Sequence, residues 1–370
     1  MLKSNKNIII VGAGAIGLYL AKQLGELGLS PLVYDSKSSV SDGADKASGI
    51  LSIDGLASAG IFYNKYKSSI LNALNGAKIR AKGATLNIEA DEDKAYIIDR
   101  AKFAALLAHD AQKAGAELIL KTKLDRYELI KMRSDNNIII GTDGAISTVA
   151  NAFNFPPIEK FILTYKAEYK NVDVKDAKKV ELFFSNKITK GFFGWIAPHS
   201  SSTVEIGVGV SSKAKINSLS VFSKFVNQKE IAEKIENAEL IKSAASIIPI
   251  QLRKKTAMRN VILIGDSAGQ VKASTGGGII FGMLCAKIAA ETISKYVNED
   301  IESLYEYEKI WRKNYSIDFA AHNFIHSYYS NVNDMFLSAT MRIGKLFGIE
   351  RFLAKHGNMD RPSSMLKFNI

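Results

Sequence analysis

Apolar and polar positions along this chain fall into blocks that predict its elements one by one. Near the start an apolar, β-branched run, Ile8-Ile9-Ile10-Val11, leads into Gly12-Ala13-Gly14-Ala15-Ile16-Gly17 and then into an amphipathic stretch. That order predicts a strand, a tight turn and a helix. A second apolar run, Pro31-Leu32-Val33-Tyr34, predicts the next strand and ends on Asp35. Residues 36–52 are rich in Ser, Asp and Gly, and a stretch of that length reads as a binding loop. Residues 96–100 read as a strand end running into an alanine-rich helix over 101–114, stopped by Gly115. Strands are predicted at 117–120 and 138–140, the second followed by the turn Gly141-Thr142-Asp143-Gly144-Ala145. The pattern changes at Pro156-Pro157. From Phe161 to Val210, short aromatic and β-branched runs alternate with Lys/Asn/Gly turns, which predicts a largely antiparallel sheet. Helical stretches come next, over 218–237. Residues 261–266 then predict a buried strand and a turn, and Gly276-Gly277-Gly278 opens a long helix to about Val297. The tail, 301–370, reads as helical and is rich in Tyr, Phe and Lys.

These blocks predict an α/β protein. A Rossmann-like dinucleotide domain is split between residues 1–155 and 255–300. A β-rich substrate domain, 156–254, is inserted into it, and a helical segment, 301–370, closes the chain. At 370 residues the chain is long enough for two or three such units with a large core. Apolar residues at 47% and charged residues at 23% are the balance of an ordinary globular protein. No run is long and apolar enough for a transmembrane helix, and the N-terminal apolar run reads as structure, not as a signal peptide. The charge balance is +12, which favours an anionic partner: a membrane surface, a phosphorylated substrate or, weakest, nucleic acid. No basic tract with interleaved aromatics supports nucleic acid. Cys285 is the single cysteine, so no internal disulfide forms, and a cytoplasmic location fits.

Four signals carry the chemistry. Gly12 permits the turn, Gly14 lets a pyrophosphate approach the backbone, and Gly17 lets helix and strand pack closely, while the helix start at Ala15 offers N–H groups to the phosphates. Asp35 lies 18 residues past Gly17, where such a unit places the carboxylate that binds a ribose hydroxyl. Asp99-Arg100 heads a helix, and the arginine is suited to meet pyrophosphate. The third signal is the Gly141–Gly144 turn with Asp143. In the fourth, Asp266 is suited to a ribitol hydroxyl, and the helix start at Gly276, Gly277, Gly278 and Ile279 is suited to negative charge on a flavin's pyrimidine edge. NAD sites lack this second aspartate-plus-glycine element, so the set points to FAD. No metal-ligand spacing and no Ser-His-Asp arrangement is present; Cys285 reads as buried packing, and His199 as a hydrogen-bonded surface group more than an acid.

In this order the motifs resemble the flavoprotein fold class of glutathione reductase and p-hydroxybenzoate hydroxylase, and within it the geranylgeranyl reductase family. Residues 265–279, GDSAGQVKASTGGGI, are similar to that family's Gly-Asp-Ala-Ala-Gly-Gln-Val-Lys-Pro-x-Thr-Gly-Gly-Gly-Ile. Residues 193–198, FGWIAP, resemble its Tyr-x-Trp-x-Phe-Pro channel motif, and Gly357–Ser363 resembles its C-terminal segment. The resemblance implies that Ala47, Ser48 and Gly49 border the flavin, and that Phe193, Trp195 and Pro198 line an isoprenoid channel with Phe192 and Ile196. Three departures stand out. The family's Cys-Ala-Gly is replaced at 47–52 by ASGILS, so a thiol role is absent. Ala273 stands where a proline is expected. Phe193 and Ala197 stand for Tyr and Phe, which widens the channel and removes a phenol.

The implied activity is FAD-dependent hydrogenation of prenyl C=C bonds in archaeal-type ether lipids, at a membrane surface without spanning it. It needs hydride and a proton delivered to adjacent carbons in a dry slot. The resemblance implies an electron donor, NADPH or ferredoxin. Two other readings stay open: a flavin monooxygenase or halogenase acting on a small aromatic, and a non-catalytic flavin or lipid carrier.

Overall fold

A strand with isoleucines on both faces needs cover on both sides, and the Asn7–Val11 strand has it. In a computed structural model, which describes residues 6–367, this strand lies inside a six-stranded sheet. The order is Ala257–Met258, Val261–Leu263, Asn137–Gly141, Asn7–Val11, Leu32–Tyr34, Glu117–Ile119. The four pairings from Val261–Leu263 to Glu117–Ile119 are parallel; only Ala257–Met258 runs antiparallel. Ile8 and Ile10 join the core built with helices Ala15–Glu26, Arg100–Lys113 and Ile279–Val297. Ile9 and Val11 face the other way, onto Leu129, Val149 and Ala150 of two short helices. Helices on both faces are the normal cover of a parallel sheet.

The second sheet has seven strands, ordered Glu239–Pro249, Phe161–Lys170, Thr203–Ser211, Gly194–Pro198, Lys179–Phe184, Gly76–Ala81, Ala84–Glu89. All its pairings are antiparallel except Lys179–Phe184 with Gly76–Ala81. One face is covered by helices Ser218–Val226 and Lys229–Lys234. The other packs under residues of the C-terminal helices. A three-stranded sheet, Ile50–Ser52, Ala95–Ile98 and Ile70–Leu74, stands between the two.

Two features depart from the expected partition. The hairpin 76–89 lies within 1–155 in sequence, yet it belongs to the seven-stranded sheet. It is held there because Ala81, Ala84 and Leu86 bury against Leu337 and Met341. The tail is no mere appendage either. Helix Tyr305–Asn331 is about 40 Å long by its rise per residue. At its start Tyr307 and Trp311 are fully buried in the first core, where the Trp311 indole donates to Thr256 Oγ1 (3.0 Å). At its far end Tyr329 is buried in the aromatic cluster of the second sheet. The helix is a strut between the two units.

Candidate functional site

The glycine turn is built by close contacts that leave one opening. Gly12 adopts φ +110°, and a Cβ there would stand 2.5 Å from the carbonyl oxygen of Thr142. A Cβ on Gly17 would stand 1.9 Å from the Gly12 carbonyl oxygen and 2.6 Å from Thr142 Oγ1. A Cβ on Gly14 would meet nothing within 4 Å. The helix that Gly14 caps has no side-chain cap and no acid in its first turn, so its first N–H groups and positive dipole end face that opening. Asp35 sits at the end of the neighbouring strand. It accepts from the Ala13 N–H (2.7 Å) and the Lys37 N–H (2.9 Å), which pins the turn and leaves each oxygen a second lone pair.

A second uncapped helix start, at Gly278-Ile279, also lacks an acid in its first turn. Asp266 lies beside it: its Oδ1 would be 2.8 Å from a Cβ on Gly278. Burial pushes the Asp266 carboxyl above the usual range, and the Arg100 charge pulls it back. For Arg100 burial likewise opposes the charge, and Asp266 and Glu205 favour it. Asp99 caps the Arg100–Lys113 helix by accepting from the Ala101 and Lys102 N–H groups (both 3.0 Å), and Arg100 Nη1 donates to the Ser48 carbonyl (3.3 Å). Two helix starts, an open glycine, a carboxylate and a guanidinium thus share one region. Such a set fits a ligand with both phosphate and hydroxyl groups. Asp143 does not join it. Its carboxylate accepts from Ser147 Oγ (2.6 Å) and the Val149 N–H (3.0 Å), so it serves the start of the Thr148–Ala152 helix instead.

The loop Ala47-Ser48-Gly49 connects this region to the second sheet. Ser48 Oγ donates to Glu205 Oε1, which also accepts from Trp195 Nε1 (2.8 Å). Lys166 Nζ lies 2.6 Å from Glu205 Oε2 and also donates to the Ala47 carbonyl (3.2 Å). Burial works against the charge on Glu205, but Lys166, Ser48 and Trp195 together hold its pKa below the usual carboxylate range. His199 lies at the outer end, with Nδ1 3.6 Å from Glu168 and Nε2 4.0 Å from Glu205.

Phe193 and Trp195 share one face of the sheet with Phe192, Phe184 and Tyr329. The rings of Phe192 and Phe193 stack at 4.2 Å, and Phe193 meets Trp195 edge-on at 6.3 Å. A Cβ on Gly276 would lie 3.5 Å from the Phe192 ring, so this aromatic wall abuts the Gly276–Gly278 loop. Pro198 and Ile196, expected beside Trp195, fall on the opposite face. Successive strand residues alternate sides, and these two line a separate cavity of about 550 Å³ among the charged residues Lys78, Arg80, Glu181 and Lys234.

Residues 5–303 match the family described as FAD binding domain. The chain belongs to that family. FAD is therefore the cofactor of this flavoprotein, and the two helix starts, Arg100 and Asp266 fit it. The flavoprotein is 27% identical over 380 residues to an uncharacterised protein of Methanocaldococcus jannaschii, covering 99% of this chain and 95% of that one. It is also 27% identical over 330 residues to the digeranylgeranylglycerophospholipid reductase of the same organism, covering 83% and 82% of the two chains. Among solved structures, a geranylgeranyl bacteriochlorophyll reductase-like protein from Thermoplasma acidophilum superposes with a TM-score of 0.83 at 18% identity, covering 98% and 94%. These similarities agree with the p-hydroxybenzoate hydroxylase-type fold.

Two buried networks of the flavoprotein escaped the sequence reading. One is Glu205 with Lys166; its signal is a charged residue inside each of two apolar strand runs. The other joins the 265–279 motif to the C-terminal segment. Lys272 Nζ pairs with Asp360 Oδ1 (2.7 Å), and Ser52 Oγ donates to Asp360 Oδ2. His322 bridges Ser274 Oγ (2.7 Å) and the Asp360 carbonyl (2.9 Å). Among the described residues no group of three or more His, Cys, Asp or Glu is arranged to hold a metal ion. None of the described helices is long and apolar enough to cross a membrane.

Proposed function

We propose that this flavoprotein hydrogenates C=C bonds in the geranylgeranyl chains of archaeal-type membrane lipids or their precursors. The observation that carries this reading is the wall of Phe192, Phe193, Trp195 and Tyr329 set directly against the Gly276–Gly278 loop. A prenyl chain has no polar group to grip, so it is selected by apolar surface and oriented by shape. The similarity to digeranylgeranylglycerophospholipid reductases supports the same substrate class.

In this reading Gly12, Gly14, Ala15 and Gly17 receive the pyrophosphate with Arg100, and Asp35 takes the ribose. Asp266 would take a ribitol hydroxyl, and the start of the helix at Gly278 and Ile279, with Ser48 and Gly49, would hold the flavin end of the cofactor. Each turnover adds one hydride and one proton across a C=C bond. When bound, reduced FAD supplies the hydride. The aromatic wall excludes water and lays the alkene against the loop. Glu205 stays ionised and, through Ser48 and Trp195, ties the cofactor loop to that wall. His322 is neutral at neutral pH, because burial pushes its pKa down to about 4, and its remaining ring N–H donates to the Asp360 carbonyl. The lipid is reached at a membrane surface, and electrons arrive from NADPH or a ferredoxin.

The test is anaerobic. Dithionite-reduced protein is mixed with geranylgeranyl lipid and the products are weighed by mass spectrometry. Products heavier by two hydrogens per bond, with matching reoxidation of the flavin absorbance, are expected. Unchanged lipid beside intact bound flavin overturns the reading.

A further inference from the structure

Helix Asp334–Leu346 carries two apolar faces, and among the described residues only one has a partner. Leu337 and Met341 are buried in the cluster that contains Phe193, Trp195 and Tyr329. On the other side Phe336, Ile343, Leu346 and Phe347 recur at helical spacing and face solvent, with Leu346 85% and Phe347 87% exposed. Gly348, at φ +76°, turns the chain back into helix Ile349–His356 directly after this tip. The outer side of helix Tyr305–Asn331 extends the apolar surface through Ile317 and Phe324, both largely exposed. The Tyr328 hydroxyl, donating to Thr340 Oγ1 (2.8 Å), fixes the two helices together. One inward stripe suffices to hold a helix on its core. A second, outward stripe of large side chains marks a docking surface.

The charges around the tip select its partner. Arg351 and Lys355 are exposed along the second helix, and Arg342 and Lys345, exposed on the first, keep their charge while donating to the Gly83 (3.0 Å) and Thr85 (3.3 Å) carbonyls. The two acids of the same stretch are engaged by protein. Asp334 accepts from Ser185 Oγ and the Asn186 N–H (both 2.7 Å), and Glu350 accepts from the Asn87 N–H and meets Lys345 at 3.4 Å. An apolar tip ringed by cations suits an anionic lipid surface. A second copy of this chain would set these cations against one another.

We propose that the turn at Leu346-Phe347, with the outer faces of the helices on either side, inserts into an anionic bilayer. The inner face of helix Asp334–Leu346 is buried through Leu337 and Met341 on the hairpin Gly76–Ala81 and Ala84–Glu89, in the same apolar cluster as Phe193 and Trp195, so a docked bilayer and the proposed substrate wall share one core. As a route for lipid entry this rests on the reductase reading; as a docking surface it does not.

Flotation with phosphatidylcholine vesicles, with and without 30 mol% phosphatidylglycerol (about a third anionic lipid), tests it. The holoprotein is expected to bind the anionic vesicles at least ~10-fold more tightly, with weakening at high salt. The variant L346E/F347E is expected to lose binding ~10-fold or more while its flavin absorbance and thermal unfolding stay unchanged. R351Q/K355Q is expected to lose the preference for anionic lipid. In the same variants, reduction of detergent-dispersed lipid stays at the parent rate while reduction of bilayer-embedded lipid falls. Unchanged vesicle binding by L346E/F347E overturns the proposal. So does sedimentation showing a parent dimer that the variant dissolves, because the occupant is then a second copy. Vesicle binding lost in the variant, with no lipid reduced in either format by any form, supports the docking surface and refutes the reductase reading alone.

Discussion

Replacing Gly14 by alanine separates what the glycine turn does for the fold from what it does for FAD. Gly14 has φ −79° and ψ 178°, a conformation open to any residue, and its added methyl would touch nothing within 4 Å. The apoprotein therefore stays within about 1 kcal/mol of the parent: a Gly→Ala change at a compatible position stabilises by ~0.4–1 kcal/mol, and alanine is the poorer cap. The cofactor responds differently, because the methyl occupies the opening through which a phosphate reaches the first N–H groups. A hydrogen bond to a charged group contributes ~1.5–3 kcal/mol. Losing one weakens FAD by roughly 10- to 150-fold, at about 1.4 kcal/mol per decade. Gly17→Ala reverses the pattern. Its methyl would stand 1.9 Å from the Gly12 carbonyl oxygen, and overpacking of that kind costs about 1–3 kcal/mol of stability. Urea unfolding of the apoproteins and fluorescence titration with FAD measure both quantities. If G14A binds FAD within about threefold of the parent, the opening above Gly14 is not the phosphate site; if it unfolds ~2 kcal/mol more easily, the space above Gly14 is not open.

Lys166→Met leaves the Glu205 carboxylate buried without its cation and is expected to destabilise by ~3–5 kcal/mol in urea unfolding, with K166M/E205Q recovering more than half; equal losses in both would refute the pairing. For His322, burial lowers the pKa from 6.5 to about 4, so between those values the unfolded chain binds more protons than the folded one. Its contribution is whole above pH 6.5 and disappears as the pH falls to about 4, a loss of about 3 kcal/mol that unfolding curves across this range should show and H322Q should flatten. Asp360→Asn strips the buried Lys272 ammonium of its counter-charge and is expected to cost about 3 kcal/mol and to free the C-terminal segment for limited proteolysis; an uncut, equally stable variant would refute that link.

Much of the cofactor unit was legible in residue order. Ile8–Val11, Asp35, Arg100 and Asp266 each end a strand or begin a helix beside a glycine or an acid, and such junctions are local in sequence. The aromatic wall was legible only in part. Phe193 and Trp195 lie together, but Pro198 and Ile196 turn away, because each stands an odd number of residues from Trp195 and a strand alternates its sides; which side meets the cofactor loop is set by packing. The strands within 50–89 went unread: they are short, half-buried and paired with partners far along the chain. Lys166 and Glu205 sit on different strands, and only the register of Phe161–Lys170 against Thr203–Ser211 brings them together.

By itself the amino-acid order determined the parallel α/β unit, the nucleotide class it takes and the antiparallel character of the sheet that begins at Phe161, since turns, caps and periodicity act over a few residues. The tertiary structure alone decided where Asp143 spends its carboxylate, which side Pro198 faces, how the hairpin at 76–89 changes sheets and which apolar stripe of Asp334–Leu346 is left facing water. Burial and charge pairing between distant segments settle those points, and no local pattern encodes the distance between two parts of a chain.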